Sequence, residues 1–207
     1  VDQQPNPTLS VAILQGNQLT HQPQDFSPDH IDRLHGAMID QALAVPTDLV
    51  VLPETVWMKT LRLDESRNPW VAESLMVSRD ALGSTMAQKL AQSDGAIIHG
   101  IDTMRAGQVY NALAFWNAQE LLGVYFKRRL VPFSEFRPKR LGWLSPQNQL
   151  HGTGFEYSPG QTLGLVRVRE IPIGSAICHE VMFPQLLRQS VLGGAQLLIN
   201  AGNDGIF

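Results

Sequence analysis

The chain has one cysteine in 207 residues. That excludes an internal disulfide and leaves the redox compartment unspecified by cysteine usage. Charge of one sign is also scarce, and a net charge of −3 offers no basic footprint for nucleic acid. No run approaches the ~20 apolar residues of a membrane-spanning helix, and no stretch reads as a signal peptide. The histidines do not cluster at metal-ligand spacing, and there is neither a glycine-rich phosphate loop nor a zinc pattern. No metal or cofactor is therefore expected. Internal repeats and low-complexity segments are absent. What is left has the composition of an ordinary globular domain, with length enough for one sizeable core.

Residues 1–8, opening Val-Asp-Gln-Gln-Pro-Asn-Pro without a Met, read as a linker, and 9–207 as a single domain. The last residues follow closely on an apolar strand, so the expectation is a piece of a longer polypeptide.

Apolar runs at Leu9–Gln15, Asp48–Leu52 and Ala96–Ile101 read as buried strands. After Ser27-Pro28, a cap followed by proline in the first turn, Ile31, Leu34, Met38 and Ala42 recur at helical spacing. Residues 57–72 show no period and are expected to be irregular. A second helical pattern carries Leu75, Leu82, Met86 and Leu90 and closes at Asp94-Gly95. Val109–Asn117 and Leu121–Lys127 read as a hairpin, and 134–160 as a long loop of the kind that is functional or disordered. Leu163–Ile177 reads as two short strands joined by a turn. Phe183–Leu192 reads as a helix stopped by Gly193-Gly194, and Gln196–Asn200 as a last strand. Strands alternating with helices point to a layered α/β domain.

Three polar residues stand at the ends of separate apolar strands: Glu54, Lys127 and Cys178. Each has a plain alternative, a solvated carboxylate, a surface ammonium or a thiol packed in a core. Together they meet one chemical need. A thiol nucleophile needs a base for its proton, and a carboxylate in a dry pocket can serve. A tetrahedral intermediate needs a fixed cation or N–H donors, and a buried lysine supplies the cation. Cys178, where a strand gives way to a helix, also lies near free backbone N–H groups.

Leu52-Pro53-Glu54, the run from Lys127 through Leu130-Val131-Pro132-Phe133-Ser134-Glu135-Phe136, and Ala176-Ile177-Cys178-His179-Glu180 resemble the nitrilase, or carbon–nitrogen hydrolase, superfamily. Within it, the string after Lys127, with Tyr110-Asn111, Pro159-Gly160 and Asn203-Asp204-Gly205, looks most like the apolipoprotein N-acyltransferase family. The resemblance implies an αββα nitrilase-like sandwich. Glu54 would be the general base, Lys127 the oxyanion stabiliser and Cys178 the nucleophile. Glu135 would orient Lys127, and Glu180 would support the site. His179 stands where a tyrosine is expected, and Ile206 where a tryptophan is common.

The resemblance further implies an enzyme that takes an acyl chain from a phospholipid as a Cys thioester. It then passes the chain to the amine of a diacylglyceryl-cysteine apolipoprotein. Such a domain would lie on the extracytoplasmic side of the inner membrane, held by segments outside this chain. Separately from the resemblance, the loop with Lys139, Arg140, Leu141, Trp143 and Leu144 mixes basic and apolar groups, and reads either as touching lipid headgroups or as an ordinary loop anchored by one buried Trp. The alternative is a soluble amidase or nitrilase with the same three residues, in which water resolves the thioester. A silent binding domain on the same scaffold is a third possibility, against which the intact triad argues.

Overall fold

The computed structural model describes residues 8–16, 28–54, 57–63, 88–91, 93–138 and 156–203. Residues 1–7 of the expected linker, 64–72 of the irregular segment, 75–87 of the helix expected through Leu90, 139–155 of the expected long loop with Trp143 and Leu144, and Ile206 lie outside them.

The elements run β1 (Val11–Ile13), α1 (Pro28–Leu43), β2 (Leu49–Val51), β3 (Trp57–Leu63), β4 (Ala96–Arg105), β5 (Gln108–Trp116) and β6 (Leu121–Phe126). They continue with β7 (Val166–Val168), β8 (Ile171–Ile177), a 3-10 helix (Cys178–Met182), α2 (Pro184–Leu192) and β9 (Leu197–Ala201). β1 to β6 form one sheet in the order β1-β2-β4-β5-β6, with β3 pairing alongside the later half of β4. β7, β8 and β9 form a second sheet in that order.

The centre of the first sheet, β2, β4, β5 and β6, is buried on both faces, and the alternation along its strands says how. In β5, Ala112, Ala114 and Trp116 join the cluster that holds Ile39 and Ala42 of α1. Leu113 and Phe115 join the other, with Val166, Ile173, Ile177 and Ile199 of the second sheet. β2 divides the same way, Val50 and Leu52 from Leu49 and Val51. On the far side, Gly174 of β8 leaves room for Ser190 of α2. The order of layers is therefore helix, sheet, sheet, helix. Each large aliphatic or aromatic side chain buried in this way contributes about 1.5–3 kcal/mol, so a one-residue slip of any central strand would be heavily penalised.

Two expectations fail. Leu9–Gln15 is not a buried strand: β1 is three residues at the edge of its sheet, with Val11 40% and Ile13 79% exposed. Residues 57–63 are a strand, not irregular chain. Leu61 and Leu63 are buried and Arg62 between them is exposed, a period of two. The charges of Lys59 and Arg62 hid that short alternation, and β4, which extends to Arg105, supplies the edge on which it pairs. The other strands and α2 fall where the hydrophobic pattern puts them. α2 opens on Pro184, which needs no N–H partner in the first turn.

His99 of β4 is fully buried, and burial pulls its imidazole down from 6.5 to about 4. The folded chain thus keeps His99 neutral where the unfolded chain takes up a proton. Stability should fall as pH drops from about 6.5 towards 4, by about 3 kcal/mol in all. Urea unfolding at a series of pH values checks this. In His99→Gln the decline over that window should flatten by the same amount, and an unaltered decline would show that His99 does not cause it.

Candidate active site

Parity places the polar residues. In β5, Asn111 shares the face of Leu113 and Phe115, towards the second sheet. Lys127 follows β6 and shares the face of Tyr125, also towards the second sheet. Its backbone N–H donates to Asn111 O at 2.9 Å, which sets the two side chains side by side. Glu54 arrives three residues after β2, behind Pro53. Cys178 arrives at the end of β8 from the other sheet.

The four polar groups close a ring. Lys127 Nζ donates to Glu54 Oε1 at 3.1 Å and to Glu135 Oε1 at 2.9 Å. Asn111 Nδ2 donates to the same two oxygens, at 2.7 and 2.8 Å. Lys127 is 1% exposed, Asn111 3%, and each glutamate 7%, so this polarity is held away from water. Burial alone would pull the ammonium down, but the two carboxylates outweigh it and raise Lys127 above the usual lysine value, so it stays charged. Two of its three N–H donors are committed to carboxylates, and among the described residues no hydrogen bond takes the third.

The two glutamates are not equivalent. Glu135 Oε2 accepts the Val131 N–H at 2.8 Å, so both its oxygens are engaged. Glu54 instead accepts both its bonds, from Lys127 and Asn111, on Oε1, and its charge bears on the Cys178 thiol. Geometry therefore suits Glu54 to accept a proton and Glu135 to hold the lysine. The Cys178 thiol is pushed up by burial and by the Glu54 charge, against the pull of Lys127 and of the His179 backbone N–H. It rests as a thiol, and ionising it calls for a neighbouring base.

Cys178 has φ +54°, a left-handed conformation costing a non-glycine residue about 1–2 kcal/mol. Glu180, fully buried, holds that bend. Its Oε2 accepts Ile177 N–H at 2.8 Å and the Tyr125 hydroxyl at 2.9 Å. Its Oε1 accepts the N–H groups of Arg128 and Arg129 at 2.7 and 2.9 Å. One carboxylate thus ties the segment after Lys127 to the segment around Cys178. His179 packs edge-on against Phe183 at 5.5 Å, with the Arg129 guanidinium 5.7 Å over the Phe183 ring. Burial and Lys127 keep its imidazole below the usual histidine range.

A further layer carries the ring. Tyr157 N–H donates to Glu135 O at 2.8 Å, and its hydroxyl to Asp102 Oδ1 at 2.8 Å. Burial pushes the Asp102 carboxyl up, Tyr157 draws it back, and Glu135 and Glu54 push it further. Gly160 N–H donates to Lys127 O at 2.8 Å, and a Cβ there would stand 2.3 Å from Phe126 O. Only glycine allows so close an approach.

Glu54, Lys127, Cys178, Glu135, Glu180 and His179 therefore meet in one place. Asn111 was visible in the sequence only as part of a pair, without a role. Its signal was a polar side chain inside a largely apolar strand. Nothing local marked Tyr125, Asp102 or Tyr157.

A family model for carbon-nitrogen hydrolase matches residues 10–206. This chain belongs to the carbon–nitrogen hydrolase family. Its curated relatives include proteins named apolipoprotein N-acyltransferase. That of Vibrio vulnificus is 25% identical over the whole chain, and that of Pseudomonas putida 26% over 96% of it. A shorter match, to the protein of that name from Chlamydia caviae, reaches 38% over 42% of the chain. The chain spans 40%, 37% and 16% of these relatives' lengths, respectively.

Among solved structures, a carbon-nitrogen hydrolase from Helicobacter pylori superposes with a TM-score of 0.61 at 19% identity. That match covers 94% of this chain and 59% of the other. An amidase from Nesterenkonia sp. AN1 gives 0.61 at 16%, covering 94% and 67%. These likenesses establish the nitrilase-superfamily fold. No helix among the described residues is long and apolar enough to cross a membrane.

Removing Glu180 should be costly, because a buried donor left unpaired costs about 1–3 kcal/mol. Glu180→Leu strands up to four donors and should lose about 3–5 kcal/mol, some donors finding water. Tyr125→Phe removes one bond and should lose about 1 kcal/mol. Denaturant midpoints of the two variants measure the contrast. Equal losses would show that Glu180 does not fasten the two segments together.

Proposed function

We propose that this chain is the catalytic domain of an apolipoprotein N-acyltransferase. The observation that carries the reading is the meeting of Glu54, Lys127 and Cys178 in a family whose relatives here bear that name. Glu54 takes the thiol proton as sulfur forms a bond to the ester carbon of a phospholipid. The carbonyl oxygen becomes negative facing the third N–H of Lys127 and the His179 N–H. The C–O bond breaks, the proton passes from Glu54 to the departing lysophospholipid alcohol, and the acyl chain remains on Cys178 as a thioester. The free α-amine of a diacylglyceryl-cysteine apolipoprotein then forms the C–N bond. Sulfur leaves as the thiol, with the amine's proton returned through Glu54.

Lys127 remains an ammonium throughout, held so by the Glu135 carboxylate. In this reading the domain works on the extracytoplasmic side of the inner membrane. It is held there by segments outside this chain, with Trp143 and Leu144 towards the lipid. The likeness to an amidase favours a second reading, hydrolysis of a small amide by water through the same thioester.

The test is an assay of the full-length protein in a membrane, with phospholipid and a diacylglyceryl peptide, and a simple amide as the competing substrate. Acyl transfer to the peptide is expected. It should be abolished in Cys178→Ala, nearly abolished in Cys178→Ser, and lowered about 10²- to 10⁴-fold in Glu54→Gln. Amide hydrolysis without transfer would favour the amidase, and full activity in any of the three variants would refute the assignments.

A further inference from the structure

The left-handed turn at Cys178 is held from one side by Glu180, through the Ile177 N–H. The peptide on its other side, Cys178–His179, carries the first backbone N–H after the sulfur-bearing residue. Strained backbone of this kind persists only where its surroundings over-determine it. Asn200 supplies the missing restraint. It sits near the end of β9, in register with Ala176 of β8. With its amide oriented to donate, Nδ2 lies 3.2 Å from Cys178 O and 3.3 Å from Ala176 O. The described chain holds no cis peptide, so the carbonyl and N–H of the Cys178–His179 unit point in opposite directions. Fixing the carbonyl fixes where the N–H aims.

We infer that Asn200 is a positioning residue, whose side-chain amide clamps the Cys178 carbonyl and thereby aims the His179 N–H at the oxygen that turns negative when sulfur attacks an acyl carbon. Asn200 interrupts the apolar sequence Leu197–Ala201, and its side chain is exposed. Its removal therefore takes nothing from either core cluster. The inference rests on Cys178 being the acylated nucleophile, and it holds for either acyl acceptor.

The experiment uses the full-length protein and p-nitrophenyl octanoate. Sulfur bonds to the acyl carbon, the C–O bond breaks and p-nitrophenolate leaves, the thiol proton going to Glu54. Asn200→Ala removes the amide. Asn200→Asp keeps its shape but presents a carboxylate to two carbonyl oxygens. Losing an oxyanion donor outright costs 10²–10³-fold, so misaiming one should slow the nitrophenolate burst about 10- to 100-fold in both variants, with KM little altered. Alkylation of Cys178 by iodoacetamide, a substitution without an oxyanion, should stay within about threefold at a pH above the thiol's midpoint.

A burst within about threefold of wild type would overturn the inference. So would a burst and an alkylation rate that fall together, since that marks general disturbance. A wild-type protein with no burst would sink the Cys178 assignment and this inference with it. A wild-type burst with indifferent Asn200 variants would sink this inference alone.

Discussion

One buried ammonium governs the arrangement. An uncompensated charge in so dry a place would cost several kcal/mol. Lys127 avoids this by standing between Glu54 and Glu135, while Asn111 divides its two amide hydrogens between the same oxygens. The cluster carries two negative charges and one positive, so its surplus is negative and it lies against the thiol. Burial first, and that surplus with it, keep the sulfur protonated, and the neighbouring carboxylate suits the role of base. A cation placed alone beside Cys178 would have made a standing thiolate, with no base needed.

The second constraint is mechanical. The two sheets bring Lys127 and Cys178 from strands that do not pair with each other. Apolar packing between the sheets sets their separation, but it is non-directional and cannot set angles. Glu180 does so, with one oxygen on each segment's N–H groups and Tyr125 as a further anchor. The strain at Cys178 is sustained because these bonds and the amide of Asn200 leave the turn no way to relax. Gly160 and Tyr157 perform a similar service on the lysine side, through backbone bonds to Lys127 and Glu135.

Much of this was legible in the sequence, for a physical reason. Strands buried on both faces are continuous apolar runs, and a polar residue closing such a run is conspicuous. Glu54, Lys127 and Cys178 each close one. Glu135 and Glu180 became candidates only through resemblance, since each lies among polar or irregular neighbours. Asn111 shows the limit of local reading. Its partners are 57 and 24 residues away, and no periodicity encodes a hydrogen bond across that distance. The strand Trp57–Leu63 was missed because two cations interrupt a short alternation whose partner edge exists only in the folded sheet.

The most direct measurement of the central claim is the pH dependence of Cys178 alkylation by iodoacetamide, in the wild type and in Glu54→Gln. If the carboxylate lies against the sulfur and Lys127 is charged beside it, removing the negative charge should lower the thiol's midpoint, although the variant is the poorer enzyme. An unchanged midpoint would contradict the account, because it would mean that Glu54 and Cys178 do not share one site.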